Sequence, residues 1–274
     1  MSEATYTPKF FARELDRARS SAETVVPLVM DRVVPRSVVD LGCGHGIWLE
    51  TFARHGVQDY IGVDGDWVPR DKLHFPPELF VPARLDKPLR LGRRFDLAVS
   101  LEVAEHLPER GARQFVRNIA ELAPCVLFSA AVPYQRGTDH INEQWPDYWA
   151  SLFREHGYVV LDGLRPLVWS NEAVFSFYRQ NILMFATPDV IAEHPLLARD
   201  RERTVDAQIS IVHPELMESL AAHPREHVRR PSARELMLSE LLGALPTVAA
   251  RSVRWRLGRL TRRSSRRRRR GSRP

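Results

Sequence analysis

Residues 38–46 read VVDLGCGHG, a short β-branched run that ends in three alternate glycines, Gly42, Gly44 and Gly46, just before an apolar stretch of helical character. A strand that runs into a glycine turn and then a helix leaves few folds open. Glycine lets the backbone turn sharply and approach a ligand closely, and the helix that follows offers unpaired N–H groups at its N-terminus. The spacing excludes the dinucleotide fingerprint. Counted from Gly42 its third glycine would fall on Ile47, and counted from Gly44 on Leu49. Asp40, just ahead of the turn, would repel a pyrophosphate and suits a ligand that carries an ammonium group. Asp64 closes the next apolar run, where a carboxylate can accept hydrogen bonds from both hydroxyls of a ribose.

The rest of the chain continues the alternation. The pattern predicts strands at residues 37–41, 60–63, 79–83, 95–101, 125–131, 158–161 and 181–186. It predicts helices at 10–34, 47–55, 109–122 and 146–156. Strands alternating with helices argue for an α/β fold with a largely parallel sheet. After residue 187 the pattern changes to His-, Pro- and Arg-rich sequence with one strand-like piece at 208–212 and helices at 232–245 and 248–260. The expected division is a helical segment at 1–35, a main domain at 36–187, a helical extension at 188–260 and a disordered Arg-rich tail at 261–274.

Composition sharpens this. At 44% hydrophobic and 27% charged the chain is expected to fold. Cys43 and Cys125 lie in separate apolar segments, which excludes a disulfide scaffold and fits a reducing, cytoplasmic setting. The first twenty residues lack the apolar core of a signal peptide, and no apolar stretch is long enough to span a bilayer. The net charge of +6 hides a split: residues 251–274 carry twelve Arg and no acid, so the first 250 residues stand at 6 − 12 = −6. In the 248–260 stretch Ala249, Val253, Leu257 and Leu260 share one face, with arginines around them. That pattern suits peripheral attachment to an anionic membrane, contact with nucleic acid phosphates, or a packed helix with a solvated tail.

Taken in order, DLGCGHG at 40–46, IGVD at 61–64, RLDKPL at 84–89 and FDLAVSLEVAEHL at 95–107 resemble the class I S-adenosylmethionine (SAM)-dependent methyltransferases over residues 36–187. The resemblance implies a doubly wound, mostly parallel seven-stranded sheet with its last strand antiparallel, and SAM as cofactor. It further implies that Asp40, Gly42, Gly44 and Gly46 floor the methionine side and that Asp64 binds the ribose. Asp86 would face the adenine beside the Leu85 backbone, and Ser100 to Glu102 would line the sulfonium side.

LEVAEH, if helical, presents Glu102, Glu105 and His106 on one face. Two carboxylates and an imidazole can hold a divalent metal, with His140 from the loop after the fifth strand as a fourth ligand and Mg²⁺ or Mn²⁺ as the metal. The segment is similar to the ExxEH of metal-dependent methyltransferases acting on small-RNA 3′ ends and of ubiquinone-pathway O-methyltransferases. Without a metal, His140 or His106 is the candidate general base. The loop VPYQRGTDHINEQWPDYWASLF at 132–153 places Tyr134, His140 and Asn142 on the substrate side, and assigns Trp149 and Phe153 to the core. Its HINEQWPDYW stretch looks like methyltransferases of bacterial surface-glycan gene clusters. The expected activity is O-methylation of a hydroxyl on a sugar, glycan or related small-molecule acceptor. Two other readings are a metal-dependent RNA ribose 2′-O-methyltransferase and a non-catalytic scaffold attached to membrane or RNA by its basic tail.

Overall fold

The computed structural model describes residues 8–222, with side chains from residue 15 onward. Its strands are β1 (Ser37–Leu41), β2 (Asp59–Asp64), β3 (Phe80–Pro82), β4 (Leu97–Leu101), β5 (Cys125–Ser129), β6 (Val159–Leu161) and β7 (Leu183–Ala186). They form one sheet in the order β3-β2-β1-β4-β5-β7-β6. All pairings are parallel except those of β7, which runs antiparallel to β5 and β6. This is the expected doubly wound sheet with its last strand reversed. The strand order turns around between β1 and β4, and in such sheets the ligand crevice opens beyond the carboxyl ends at that point.

Every residue of β4 and β5 is buried, as continuous apolar strands require when both faces are covered. Successive side chains point to opposite faces, so two cores form. Val38, Leu97, Val99, Cys125 and Leu127 belong to one, with the helices α1 (Pro8–Arg32) and α2 (Ile47–Arg54). Val39, Leu41, Ala98, Val126 and Phe128 belong to the other, with α3 (Glu109–Leu122) and α4 (Pro146–Arg154). α1 is a helix because Ala22, Val25, Val26 and Val29 recur at helical spacing, and that stripe is the buried one. Trp149 and Phe153 of α4 are core, as expected. Phe153 stacks on Phe185 at 4.2 Å, and Trp149 tilts against Phe128 at 5.6 Å.

Short helices fill the remainder: α5 (Arg165–Val168), α6 (Ser176–Asn181), α7 (Pro188–Glu193), α8 (Pro195–Arg203) and α9 (Pro214–Ala222). α8 packs on β6 and α1, where Arg32 Nε donates to Asp200 Oδ2 at 2.6 Å with both side chains under a tenth exposed. None of the described helices is long and apolar enough to cross a membrane.

Three local expectations are corrected. Residues 208–212 form no strand; only a 3₁₀ turn at Asp206–Gln208 lies there. Their backbone groups are satisfied by side chains instead of a ladder. Arg165 donates to the Ile209 carbonyl at 2.8 Å, Gln180 Nε2 donates to the Ile211 carbonyl at 2.5 Å, and just beyond them the His213 N–H donates to the Gln180 side-chain Oε1. The last strand begins at Leu183 rather than residue 181, because Asn181 ends α6. LEVAEH is not a helix. Glu102 leaves β4 with a left-handed backbone, φ 54°, and only Ala104–His106 makes a 3₁₀ turn. The predicted helices at 232–245 and 248–260 and the tail at 261–274 lie outside the described residues.

Candidate active site

A cleft of about 640 Å³ opens beyond the carboxyl ends of β2, β3 and β4, with Asp64, Asp86, Glu102, His106, Asp139 and Trp67 in its wall. The glycine turn runs alongside it. The Gly42 N–H donates to the Val63 carbonyl at 2.7 Å. A Cβ on Gly42, which has φ +86°, would lie 2.3 Å from a Val103 methyl, so only glycine lets the turn and the cleft wall meet. Gly44, with φ +51°, has no atom within 4 Å of where its Cβ would lie. Its N–H donates to Asp64 Oδ2 at 2.8 Å, and the Gly65 N–H donates to Oδ1 at 2.6 Å. Each Asp64 oxygen keeps a second lone pair for a hydroxyl. Burial pushes the Asp64 carboxyl up from its ordinary range, and the two backbone N–H groups work against that rise. The open space at Gly44 beside a half-engaged carboxylate fits a ribose.

Asp40 lies in β1, 3% exposed, and burial together with the nearby Asp64 holds its carboxyl well above the ordinary range. Gly46 precedes α2 with φ +83°. Neither Asp40 nor Gly46 is among the residues of the cleft wall. Asp86 is in the wall, but Arg84 grips it through two nitrogens at 3.0 and 3.1 Å and holds its carboxyl below the usual range. Ser100 is fully buried and donates to the Leu41 carbonyl at 2.9 Å, tying β4 to β1 rather than facing the cleft.

The left-handed turn at Glu102 separates it from the residues with which it was grouped. Its Oε1 accepts from Asn181 Nδ2 at 3.0 Å and its Oε2 from Gln135 Nε2 at 2.7 Å. Asn181 also donates to Gln135 Oε1 at 2.7 Å. The network joins β4, the loop after β5 and the end of α6. Burial raises the Glu102 carboxyl, and the amide donors oppose that rise.

Glu105, His106 and His140 do come together, with one ligand atom from each within 4.8 Å of the others. Glu105 is wholly buried and neither of its carboxylate oxygens has a hydrogen-bond partner in good geometry, although the backbone N–H groups of Glu105 and Ala131 favour its charged form. Burial, with the Glu102 charge added, pushes this carboxyl far above its ordinary range. The His106 and His140 rings meet edge to face at 4.9 Å. Burial and the neighbouring His140 lower His106.

The loop that delivers His140 is strained. Tyr134, Arg136 and Asp139 all adopt positive φ, between 58° and 73°, and such positions cost about 1–3 kcal/mol each and persist only where the surroundings enforce them. Tyr134 is exposed, whereas Asn142 is buried, with its N–H on the Glu105 carbonyl at 3.0 Å and its side-chain oxygen accepting from Gln144. Sequence reasoning missed Gln135 and Asn181 as partners of Glu102, Glu143 as partner of His140, and Trp67 beside Asp64. Glu143, three residues after His140, was the one with a local signal.

A seven-stranded sheet of this order, with an acidic residue at the tip of β2 tied to a glycine turn, defines the class I SAM-dependent methyltransferases. Residues 10–171 match the family described as the methyltransferase domain, and the chain belongs to it, with SAM as its cofactor. A ubiquinone biosynthesis O-methyltransferase from Methylobacterium sp. (strain 4-46) is 33% identical over 114 residues, 38% of this chain and 44% of that protein, so the match spans less than half of that relative. Among solved structures, the sugar N-methyltransferase KedS8 from Streptoalloteichus sp. ATCC 53650 is 16% identical with a TM-score of 0.51, over 68% of this chain and 97% of that one. DesVI from Streptomyces venezuelae is 16% identical with a TM-score of 0.50, over 68% and 99%. At that identity the likeness is one of fold.

Proposed function

We propose that the protein methylates a hydroxyl oxygen of a sugar or related small-molecule acceptor, with a divalent metal held by Glu105, His106 and His140. The observation that carries this reading is the Glu105 carboxylate, wholly buried, with no hydrogen-bond partner in good geometry for either oxygen and beside two imidazoles. An isolated buried charge is costly, and a cation bound there would remove the cost while taking both imidazoles as further ligands. One carboxylate and two imidazoles suit Mn²⁺, Co²⁺ or Fe²⁺ better than Mg²⁺, which prefers oxygen donors. Such a metal would lower the pKa of a hydroxyl and orient it; SAM supplies the electrophilic methyl group.

The chain's own residues do the remaining work. Asp64 accepts from the ribose hydroxyls of the cofactor, while Asp40, buried in β1, stands behind the glycine turn and outside the cleft wall. Glu102, held by Asn181 and Gln135, presents a fixed carboxylate to the cleft. The loop from Val132 to Glu143 brings His140 over the same cleft end and leaves Tyr134 exposed as a face for the C–H side of a sugar ring. The O-methyltransferase relative supports an oxygen acceptor.

The test is methyl transfer in metal-stripped protein. Chelation is expected to abolish transfer, and Mn²⁺, Co²⁺ or Fe²⁺ to restore it better than Mg²⁺; Glu105→Gln should mimic chelation while SAM still binds. Full activity without metal would sink the metal assignment and leave His140 as the base, with His140→Ala alone lowering the rate by roughly 10²–10⁴-fold. Tritiated methyl from SAM, followed into fractionated extract, is expected in glycan or small molecules. Label confined to RNA would refute the acceptor class.

A further inference from the structure

Glu143 lies outside the three-residue cluster, yet both of its carboxylate oxygens are tied to the loop that carries His140. Its Oε2 accepts from the Tyr134 N–H at 2.8 Å, and its Oε1 accepts from the Arg136 N–H at 3.0 Å and meets His140 Nδ1 at 3.0 Å. Tyr134 and Arg136, whose N–H groups it receives, are two of the left-handed residues of the loop. A backbone N–H can only donate, so both oxygens already act as acceptors. A carboxylate in that state requires Nδ1 of His140 to carry the proton. In the neutral ring Nε2 is then the nitrogen with a free lone pair, and the one left to serve the cluster with Glu105 and His106. The ring tip fits because residue 137 is glycine: a Cβ there would lie 2.1 Å from His140 Nε2.

We propose that Glu143 is the positioning residue of this site, fixing His140 in its Nδ1-protonated tautomer and holding the strained 134–136 backbone that carries His140 to the cleft. The inference rests on the proposed hydroxyl methylation for its catalytic consequence, but not for the tautomer itself. Partners that orient such an imidazole typically cost 10–100-fold in metal affinity or activity when lost. Glutamine cannot replace the carboxylate, because one of its two head atoms is a donor and would face a backbone N–H.

The experiment is a long-range proton–nitrogen correlation spectrum of full-length protein labelled with ¹⁵N-histidine, with His140 assigned by the signal absent from His140→Gln. The expected wild-type signature is proton on Nδ1 and bare Nε2. In Glu143→Gln that preference should be lost, the Tyr134 and Arg136 amides should exchange faster, and kcat should fall about 10–100-fold with SAM affinity unchanged. Glu143→Asp, which keeps two acceptor oxygens, should retain the wild-type tautomer. A wild-type His140 protonated on Nε2 overturns the proposal, as does a Glu143→Gln protein with unchanged tautomer and kcat. The wild-type spectrum decides even if Glu143→Gln fails to fold. It needs neither acceptor nor turnover, so absence of hydroxyl methylation would count against the proposed function alone.

Discussion

Asp40 and Asp64 place two carboxylates in one corner, and both are raised by burial. For Asp40 the folded state holds the proton more tightly than the unfolded chain does. Its favourable contribution is therefore complete below about pH 4, the ordinary aspartate range, and declines as pH rises towards the raised folded value. Urea denaturation of cofactor-free protein should find Asp40→Asn more stable than wild type at pH 7, with the gap closing as pH falls to 4. A gap that does not change with pH would show that the Asp40 charge is not what matters. Asp64 has a different use. Asp64→Ala should weaken SAM binding by about 1.5–3 kcal/mol through loss of charge-assisted hydrogen bonds. Equal calorimetric affinity in wild type and variant would remove the ribose assignment.

Elements are joined here by a few buried polar ties. Arg32 at the end of α1 meets Asp200 of α8 and also donates to the Leu28 and Gly163 carbonyls. Breaking one half of such a pair leaves an uncompensated charge, so Arg32→Ala should cost about 3–5 kcal/mol of unfolding free energy, and the double change Arg32→Met with Asp200→Leu should recover most of it. If thermal and urea unfolding find Arg32→Ala near neutral, α8 is not anchored through this pair. Arg165 plays a similar part, donating to the Ile209 carbonyl and pairing with Asp162. A side chain that satisfies the backbone in this way removes the need for a strand at 208–212.

For the whole chain, the charge split is the feature to test. Removing residues 251–274 takes away +12 and leaves a protein of net charge −6. Salt-sensitive adsorption to anionic vesicles or RNA is expected to vanish with the tail, because Arg clusters bind phosphates electrostatically. SAM affinity should stay the same, since every residue named for the cofactor precedes position 110. Sedimentation with vesicles at two salt concentrations, alongside calorimetry with SAM, checks both halves. Adsorption that survives truncation would place the anionic contact in the first 250 residues.

The sheet was legible because its signals are local. β1, α2, α3 and β5 follow from apolar runs whose period, 2 or 3.6, is imposed by backbone geometry, and Ser37–Leu41 and Glu109–Leu122 match their predicted bounds. The glycine turn and Asp64 were legible for the same reason, a strand end followed by a turn that side chains would block. α5 and α6 were missed because four and six residues are too few to show a period. The acceptor side was only half legible. Its residue types could be named, but Glu102 parts from Glu105 and His106 through one left-handed residue, and its partner Asn181 stands far along the chain. Hydrogen bonds between segments distant in sequence leave no periodic trace. The sequence by itself determined the sheet, the glycine turn and the carboxylate at the end of β2. Only the tertiary structure decided which polar groups of the loop after β5 meet, because burial and pairing of those groups exist only once the sheet has brought them together.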